Sequence, residues 1–291
     1  MNNINTLILS GAGANIIYEF GLCIELLKYI KPKKVIGTSA GAILSLAIAL
    51  NWNFNELLEI FIQKISNKKI YNESIFKIIY NIFKYNYLFE SDLRYEIIDI
   101  MLSKTNKDIT FIELDFDISV VSVDYDTGNT ILFNKKNTPQ IRIKDAVLAS
   151  SGIPGVFKPI FVDKNKILNI YDINNNDIKN SIHLVDGGIT SMYPINFLSQ
   201  KEIKNSIGIS MLTKIAPAKK GLIDTLLQII NLQLSITNSD SLITNEWKKR
   251  TIFYKLTNGI NLTTTLTKEL FLKSVEDGKI IVDEFIKTFN Q

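Results

Sequence analysis

The chain has 291 residues, 46% of them hydrophobic, and its 33 basic and 29 acidic side chains leave a formal net charge of +4. This apolar content is enough to build a sizeable core, which argues against a disordered chain. The small net charge argues against a nucleic-acid partner, because nucleic-acid-binding domains normally carry a concentrated basic face.

Cysteine usage and hydropathy narrow the class of protein. Cys23 is the single cysteine, so neither an intrachain disulfide nor a thiolate metal cluster is expected. The N-terminal residues lack the basic start and long apolar core of a secretory signal. The most continuous apolar run, Ala42 to Leu50, is much shorter than the roughly 20 residues that cross a bilayer. We therefore expect a cytoplasmic protein without a transmembrane helix, whose contact with membranes is at most peripheral.

The first fifty residues predict two successive strand–turn–helix units. A short apolar strand, Thr6 to Ser10, ends in a turn at Gly11 and Gly13 and is followed by a helical pattern of apolar residues. A second strand from Lys34 to Ile36 leads into Gly37-Thr38-Ser39-Ala40-Gly41 and then into a small apolar helix. Two such units in succession favour a three-layer α/β/α fold with a mainly parallel central sheet.

Residues 53–103 form an aromatic, helical insert that is compatible with a cap over the sheet. Two interpretations are open for it. A helical hairpin that packs its Ile and Phe side chains on the core is favoured, because amphipathic periodicity ordinarily marks a core-facing helix. A lid that contacts lipid is the alternative, and both interpretations can hold at once.

The rest of the chain continues the α/β pattern. Asp117 to Phe133 predicts a hairpin, Lys144 to Ser151 predicts a helix that stops before Gly152, and a further strand ends at Val185. Beyond these we expect a strand from Ser206 to Leu212, helices near Leu222 to Leu234 and Thr237 to Lys249, a strand from Thr251 to Leu256, and a closing helix from about Thr267 to Phe289. No linker or shift of composition divides the chain, so we expect a single domain over residues 1–291, with its motifs in residues 4–212 and helices over residues 221–291.

Ser39 is the candidate nucleophile. It is the serine of a G-x-S-x-G motif between a strand and a helix, where a sharp, strained turn projects the hydroxyl from the end of a sheet. Gly37 and Gly41, the glycines of this elbow, keep side chains from colliding in the turn. The helix that follows directs unpaired N–H groups and a partial positive charge at the site. A serine hydroxyl still needs a neighbouring proton acceptor.

Asp186 is the preferred base for Ser39. It ends an apolar strand before Gly187 and Gly188, and it lies at the crevice side of the sheet if that strand is parallel to the first two. Burial beside Ser39 would raise its affinity for a proton. His183, the single histidine, would have to be the base of a Ser–His–Asp triad, but residues three apart on a strand point to opposite faces. A turn aspartate that caps its own backbone is the structural alternative for Asp186.

The loop Gly11-Ala12-Gly13 is the candidate oxyanion hole, because consecutive N–H groups after a strand form an anion-binding nest. Its rival is the dinucleotide fingerprint G-x-G-x-x-G, which here has Ile16 in place of the third glycine. With one histidine, one cysteine and no tight carboxylate cluster, no catalytic metal site is expected.

These three elements, in this order, resemble the patatin-like phospholipases, which have a Gly-rich oxyanion loop, a G-x-S-x-G elbow and a D-G-G/A motif. The resemblance extends over residues 4–212. It includes AVLASSGIPGVFKPI (Ala146 to Ile160), VDGGITSMYPI (Val185 to Ile195) and the hairpin DYDTGNTILF (Asp124 to Phe133).

The resemblance implies a patatin-like fold and a lipid acyl hydrolase without a cofactor. Ser39 and Asp186 would form a dyad that needs no histidine, and a phospholipid or other acyl-ester lipid would be cleaved through an acyl-enzyme, during transient contact with a membrane. The chain departs from the family in its oxyanion loop, which lacks the usual basic residue and last glycine, and at Met192, where a polar residue is common. A catalytically weak or inactive lipid- or membrane-binding protein is therefore the alternative.

Overall fold

The computed structural model describes residues 3–69, 74–90, 92–167, 180–213, 228, 232–233, 244–256 and 264–289. Within these residues the centre of the fold is a mixed eight-stranded sheet of order β5-β6-β3-β2-β1-β7-β8, with β4 paired to β3. Its strands are β1 Thr6–Leu9, β2 Lys34–Thr38, β3 Asp117–Asp124, β4 Thr130–Asn134, β5 Ile160–Asp163, β6 Ser181–Asp186, β7 Ser206–Thr213 and β8 Thr251–Leu256.

The sheet is mostly parallel and carries helices on both sides, so the predicted fold class is confirmed. Strands β3, β2, β1, β7 and β8 run parallel to their neighbours in that order. Strands β4, β5 and β6 are antiparallel to the strands they pair with. The β3–β4 pair is the hairpin that the sequence predicts.

Nine α-helices begin and end within the described part of the chain. They are α1 Ile16–Leu26, α2 Ala40–Ala49, α3 Phe54–Lys64, α4 Ile75–Tyr85, α5 Leu93–Met101, α6 Ile143–Ser150, α7 Gln200–Lys204, α8 Asn245–Lys248 and α9 Lys268–Phe289. The helix expected near Leu222 to Leu234 and the first part of the helix expected from Thr237 lie almost wholly outside the described residues. No helix in the part that is described is long and apolar enough to cross a membrane.

The helical insert packs only partly on the core. Phe54 and Phe61 of α3 and Ile98 of α5 are buried in the main hydrophobic cluster, as a core-packed hairpin requires. In α4, by contrast, Phe76 and Phe83 are 81% and 86% exposed. Helices α3 and α5 therefore pack on the core, whereas one face of α4 is exposed to solvent.

Candidate active site

The two candidate catalytic residues lie where two strands point at each other along one edge of β3. Residues 119–121 of β3 pair with both β2 and β4, so β2 and β4 occupy opposite edges. Residues 122–123 pair with both β4 and β6, which places β6 on the same edge as β2, beyond its end. Strand β2 ends at Thr38, and β6 runs the other way and ends at Asp186. Ser39, the residue after β2, therefore meets Asp186.

This arrangement corrects the assumed direction of the second strand. The sequence placed Asp186 at the crevice side of the sheet on the condition that its strand runs parallel to β1 and β2. β6 does not meet this condition, because it is antiparallel to β3, which is parallel to β2. The carboxylate nevertheless reaches the carboxyl end of β2, because β6 approaches that point from the opposite direction. A serine and an aspartate 147 positions apart in sequence are thus in contact.

Ser39 and Asp186 form a buried hydrogen-bonded pair. The Ser39 hydroxyl donates to Asp186 Oδ2 over 2.8 Å, and the two residues are 4% and 2% exposed. Asp186 Oδ1 accepts the Gly188 N–H at 2.7 Å, and the Asp186 N–H donates to the Gly152 carbonyl. Asp186 therefore caps its own turn and contacts the serine at the same time, so the two interpretations of this residue are compatible.

The surroundings of Asp186 make it more basic than an ordinary aspartate. Loss of hydration on burial raises its pKa from 3.8 to about 6, against the opposing effects of the Gly188 N–H, the Ser39 hydroxyl and the positive charge of Arg94. The carboxylate is still mostly ionised at neutral pH. It is therefore present in the form that accepts a proton.

The backbone at Ser39 is strained in the way that a nucleophile elbow requires. Its φ of 54° and ψ of −119° lie in a region that residues with a side chain rarely adopt. The elbow glycines allow the close packing around it: a Cβ on Gly37 would lie 2.4 Å from the Gly41 carbonyl oxygen, and one on Gly41 would lie 2.5 Å from that of Leu9. The Ser39 N–H donates to Ser150 Oγ over 2.9 Å, which holds the turn.

The loop in front of Ser39 supplies fewer free donors than the sequence predicts. The Gly11 N–H donates to the Met192 carbonyl over 2.8 Å, so this N–H is not free to bind an oxyanion in this conformation. Gly11 still lies against the nucleophile, because a Cβ on it would be 3.2 Å from the Ser39 Cβ. Within the described residues, the N–H groups of Ala12 and Gly13 make no hydrogen bond. They remain the candidate donors from this loop.

His183 is not part of a triad in this structure. Its ring centroid lies 4.7 Å from that of Tyr125 and 5.0 Å from that of Phe161. Asp186 is three residues further along β6, about 10 Å away and on the opposite face of the strand. Both of its carboxylate oxygens are bonded elsewhere, to Ser39 and Gly188.

Arg94 is a residue near the site that the sequence analysis missed. Its guanidinium forms two hydrogen bonds with the buried carboxylate of Asp92, at 2.7 and 2.8 Å, and it lies 3.8 Å from the ring centroid of Phe157. It also donates to the carbonyls of Leu148 and Ser151, at the C-terminal end of α6. The only signal in the sequence is that this is one of three arginines in a lysine-rich chain.

The position of Arg94 connects the helical insert to Asp186, the candidate base. Arg94 belongs to α5, and the carbonyls that it binds end α6 just before Gly152, whose own carbonyl accepts the Asp186 N–H. Its positive charge lowers the pKa of Asp186 and so opposes the effect of burial. Among the described residues, no group of three or more His, Cys, Asp or Glu side chains is placed to hold a metal ion.

A mostly parallel sheet flanked by helices, with a buried serine on a strained strand–helix elbow, defines an α/β protein with a hydrolase-type site. Residues 7–198 match the family model of the patatin-like phospholipases. The chain therefore belongs to the patatin-like phospholipase family.

Comparisons with individual proteins agree with the family. The chain is 26% identical to protein R571 of Acanthamoeba polyphaga mimivirus over 215 residues. This alignment covers 72% of the present chain and 66% of protein R571. It is 24% identical to a cGAMP-activated phospholipase of Vibrio cholerae over 180 residues. This alignment covers 54% of the present chain and 50% of that phospholipase. The chain thus spans between half and two thirds of the length of these relatives.

A solved structure has the same fold. VipD from Legionella pneumophila superimposes with a TM-score of 0.50 at 16% sequence identity, over 99% of this chain and 67% of that one.

Proposed function

We propose that the protein is a lipid acyl hydrolase that cleaves fatty-acyl esters of phospholipids or other glycerolipids with a Ser39–Asp186 dyad. The observation that carries the proposal is the 2.8 Å hydrogen bond from the Ser39 hydroxyl to the buried Asp186 carboxylate. Family membership and the similarity to a protein named as a phospholipase support the lipid substrate.

The proposed reaction has two halves, and in each half Asp186 accepts one proton and then gives it up. Ser39 Oγ attacks the ester carbonyl carbon while Asp186 accepts the hydroxyl proton. The tetrahedral intermediate collapses, the acyl–oxygen bond breaks, and Asp186 returns the proton to the leaving alkoxide. Water then attacks the acyl-enzyme and gives a proton to Asp186. The bond between the acyl carbon and Ser39 Oγ breaks, Asp186 passes that proton to Ser39 Oγ, and the fatty acid leaves.

A lone aspartate is a sufficient base here because of its burial. The rise in its pKa from 3.8 to about 6 corresponds to a carboxylate that is disfavoured by about 3 kcal/mol relative to its protonated form. That difference reduces the barrier to removing the serine proton. Solvent exposure would cancel the gain, so the nearly complete burial of the pair is part of the proposed mechanism.

The oxyanion would be held by the N–H groups of Ala12 and Gly13. The Ala40 N–H, at the N-terminus of α2, is a further candidate because its helix dipole favours negative charge at that point. Removing one such donor from a hydrolase costs on the order of a hundredfold in turnover. The bonded Gly11 N–H therefore favours, as the second candidate function, a slow or inactive lipid-binding member of the family.

A fluorophosphonate probe and a phospholipid hydrolysis assay separate these functions. We expect the wild type to be labelled at Ser39 and to release fatty acid, Ser39→Ala to lose both, and Asp186→Asn to lose at least a thousandfold in turnover. His183→Gln is the matched control, because its ring lies on the opposite face of β6, and its turnover should stay within threefold of wild type. A wild type that is neither labelled nor active on any ester would overturn the proposal.

A further inference from the structure

The surface of α4 carries a continuous apolar stripe that faces solvent. Phe76 and Phe83 are 81% and 86% exposed, and Ile79 and Tyr80 are 45% and 51% exposed. These four residues follow one another at spacings of three, one and three. On a helix with 3.6 residues per turn, they therefore form one stripe about 100° wide. We name these four side chains the α4 stripe.

The opposite face of α4 is packed, so the stripe does not result from a loosely attached helix. Ile78 packs against the buried cluster of Phe89, Val156 and Phe157. Asn81 is 1% exposed and donates to the Leu88 carbonyl over 3.2 Å. The inner face of the helix is thus packed against the protein, and its apolar outer face is exposed to water.

The helix is also defined at both ends. The Ser74 hydroxyl accepts the Lys77 N–H at its start, and Asn86 ends it with a left-handed φ of 60°. Side-chain capping and a left-handed C-terminal residue are both ordinary stop signals. The stripe is therefore presented on a formed helix.

The inner face of α4 packs on the segment of residues 152–158, which supports the candidate base Asp186. The Phe89 N–H donates to the Val156 carbonyl over 2.8 Å, and the Phe89 carbonyl accepts the Lys158 N–H. This segment begins at Gly152, whose carbonyl accepts the Asp186 N–H over 2.9 Å. α4 is thus linked to the Ser39–Asp186 pair through the segment of residues 152–158.

The residues beside the stripe fit a lipid headgroup region. Lys84 is exposed, donates to the Tyr80 hydroxyl over 2.6 Å, and lies 5.1 and 5.2 Å from the ring centroids of Tyr80 and Tyr85. Aromatic side chains on one face of a helix with lysine at the boundary are typical of helices that lie in the bilayer interface. Lys77 and Lys158 both pair with Glu90, so the local charge is positive.

A second copy of this chain is a poorer occupant of the stripe. Four partly exposed side chains of this size offer on the order of 500 Å² of surface, whereas a stable interface buries about 800 Å² per partner. A bilayer sets no such lower limit, because each apolar side chain that enters it contributes separately.

We propose that the α4 stripe inserts into the interface of an anionic lipid bilayer and holds the Ser39–Asp186 site against its substrate. The role in substrate delivery rests on the proposed function, but the insertion itself does not require catalysis. Vesicle binding therefore tests the insertion separately from hydrolysis.

The test is co-sedimentation with vesicles of phosphatidylcholine containing 30% phosphatidylserine. We expect Phe76→Ser/Phe83→Ser to lower the vesicle affinity at least tenfold, in the wild-type background and equally in Ser39→Ala. The matched control is Leu272→Ser/Ile280→Ser, which removes two half-exposed apolar side chains from α9, 49% and 53% exposed, and should bind as wild type does. Thermal unfolding verifies that each variant folds.

Three outcomes would overturn the proposal: equal binding by the Phe76→Ser/Phe83→Ser variant, equal loss in the α9 control, or no binding by the wild type. Light scattering tests the other occupant, a second copy of this chain. A wild-type dimer that becomes a monomer in the Phe76→Ser/Phe83→Ser variant would assign the stripe to self-association and would also overturn the proposal. Vesicle binding without fatty-acid release would support the proposed insertion and contradict only the proposed hydrolase activity.

Discussion

At the scale of single residues, the site depends on a carboxylate that is buried but still ionised. Burial raises the pKa of Asp186, while the Gly188 N–H and the Ser39 hydroxyl stabilise its charged form. The same two hydrogen bonds orient its two oxygens, one toward the turn and one toward the nucleophile. The contacts that orient the carboxylate therefore also limit the rise in its pKa that burial causes.

The pKa of Asp186 predicts the pH dependence of the proposed activity. The carboxylate must be deprotonated to accept the serine proton, so kcat/KM should fall about tenfold per pH unit below the pKa of about 6. A pH profile with a soluble ester measures this limb. His183→Gln should leave the limb in place, whereas a limb near pH 4, or one that moves with the histidine, would contradict the assignment of the base.

Glu19 is a second buried carboxyl group that the proposed mechanism does not use. It is 0% exposed, and neither of its oxygens makes a hydrogen bond of normal geometry within the described residues, although the nearby Ser10 backbone slightly favours its charged form. Desolvation raises its pKa well above 4.5. Protonated Glu19 is therefore the form that the folded state favours.

This shift predicts a stability change with pH. Because the folded pKa of Glu19 is raised, its contribution to stability is complete below pH 4.5 and is lost as the pH rises toward the folded value. The Glu19→Gln variant cannot ionise at this position and so does not lose stability in this way. The unfolding free energy of the variant minus that of the wild type should therefore increase steadily above pH 4.5. Urea unfolding at a series of pH values measures the difference, and a difference that does not vary with pH would contradict the buried, protonated state.

At the scale of elements, Arg94 joins α5 to α6 by charge and by hydrogen bonds. The Asp92 side chain is 0% exposed and that of Arg94 is 10% exposed, so this ion pair is removed from water. An arginine is suited to the C-terminal end of α6 because the helix dipole is negative there. The junction places the insert, and with it α4, against the segment that leads to the catalytic base.

Loss of this arginine should destabilise the junction and also raise the basicity of Asp186. Arg94→Met leaves the Asp92 carboxylate buried without its partner, which typically costs 3–5 kcal/mol, so we expect a loss of about 4 kcal/mol. It should also move the acid limb of kcat/KM to higher pH, since the Arg94 charge lowers the pKa of Asp186.

Arg142→Met is the control for that variant. Arg142 forms ion pairs with Asp108 and Asp145, but its side chain is 51% exposed. Its loss should cost less than about 1 kcal/mol. Chemical denaturation compares the two variants, and similar costs would show that the buried pair has no special role.

At the scale of the whole molecule, the C-terminal helix belongs to the same core as the family motifs. Phe271 of α9 is 2% exposed and packs 6.3 Å from the ring of Phe61, although it lies outside the family match of residues 7–198. The main hydrophobic cluster extends from Ile4 to Val282. The family region is therefore expected to depend on α9 for its stability.

Two neighbouring residues of α9 test this dependence. Phe271→Ala should lower the unfolding free energy by about 3–5 kcal/mol, because it creates a cavity in the shared core. Leu272→Ala, at a side chain that is 49% exposed, should cost less than about 1 kcal/mol. The two values are measured by urea denaturation, and nearly equal values would mean that α9 is not part of the core.

Local sequence determined much of the fold and part of the site. The elbow around Ser39 needs glycines within two residues on each side, and the turn after Asp186 needs Gly187 and Gly188, so short-range sterics mark both positions. The alternation of apolar strands and amphipathic helices likewise indicated the α/β sheet. These features depend on residues that are neighbours in the chain.

Only the tertiary structure decided the features that depend on distant residues. The antiparallel direction of β6, the Gly11 N–H bonded to Met192 and the junction at Arg94 each join segments more than 50 positions apart. The exposed stripe of α4 is of the same kind, since its periodicity predicted an amphipathic helix but not which apolar face would be packed. The hydrophobic pattern of the sequence determines the period of each helix or strand and which of its faces is apolar. Packing between residues far apart in the chain determines what each face contacts.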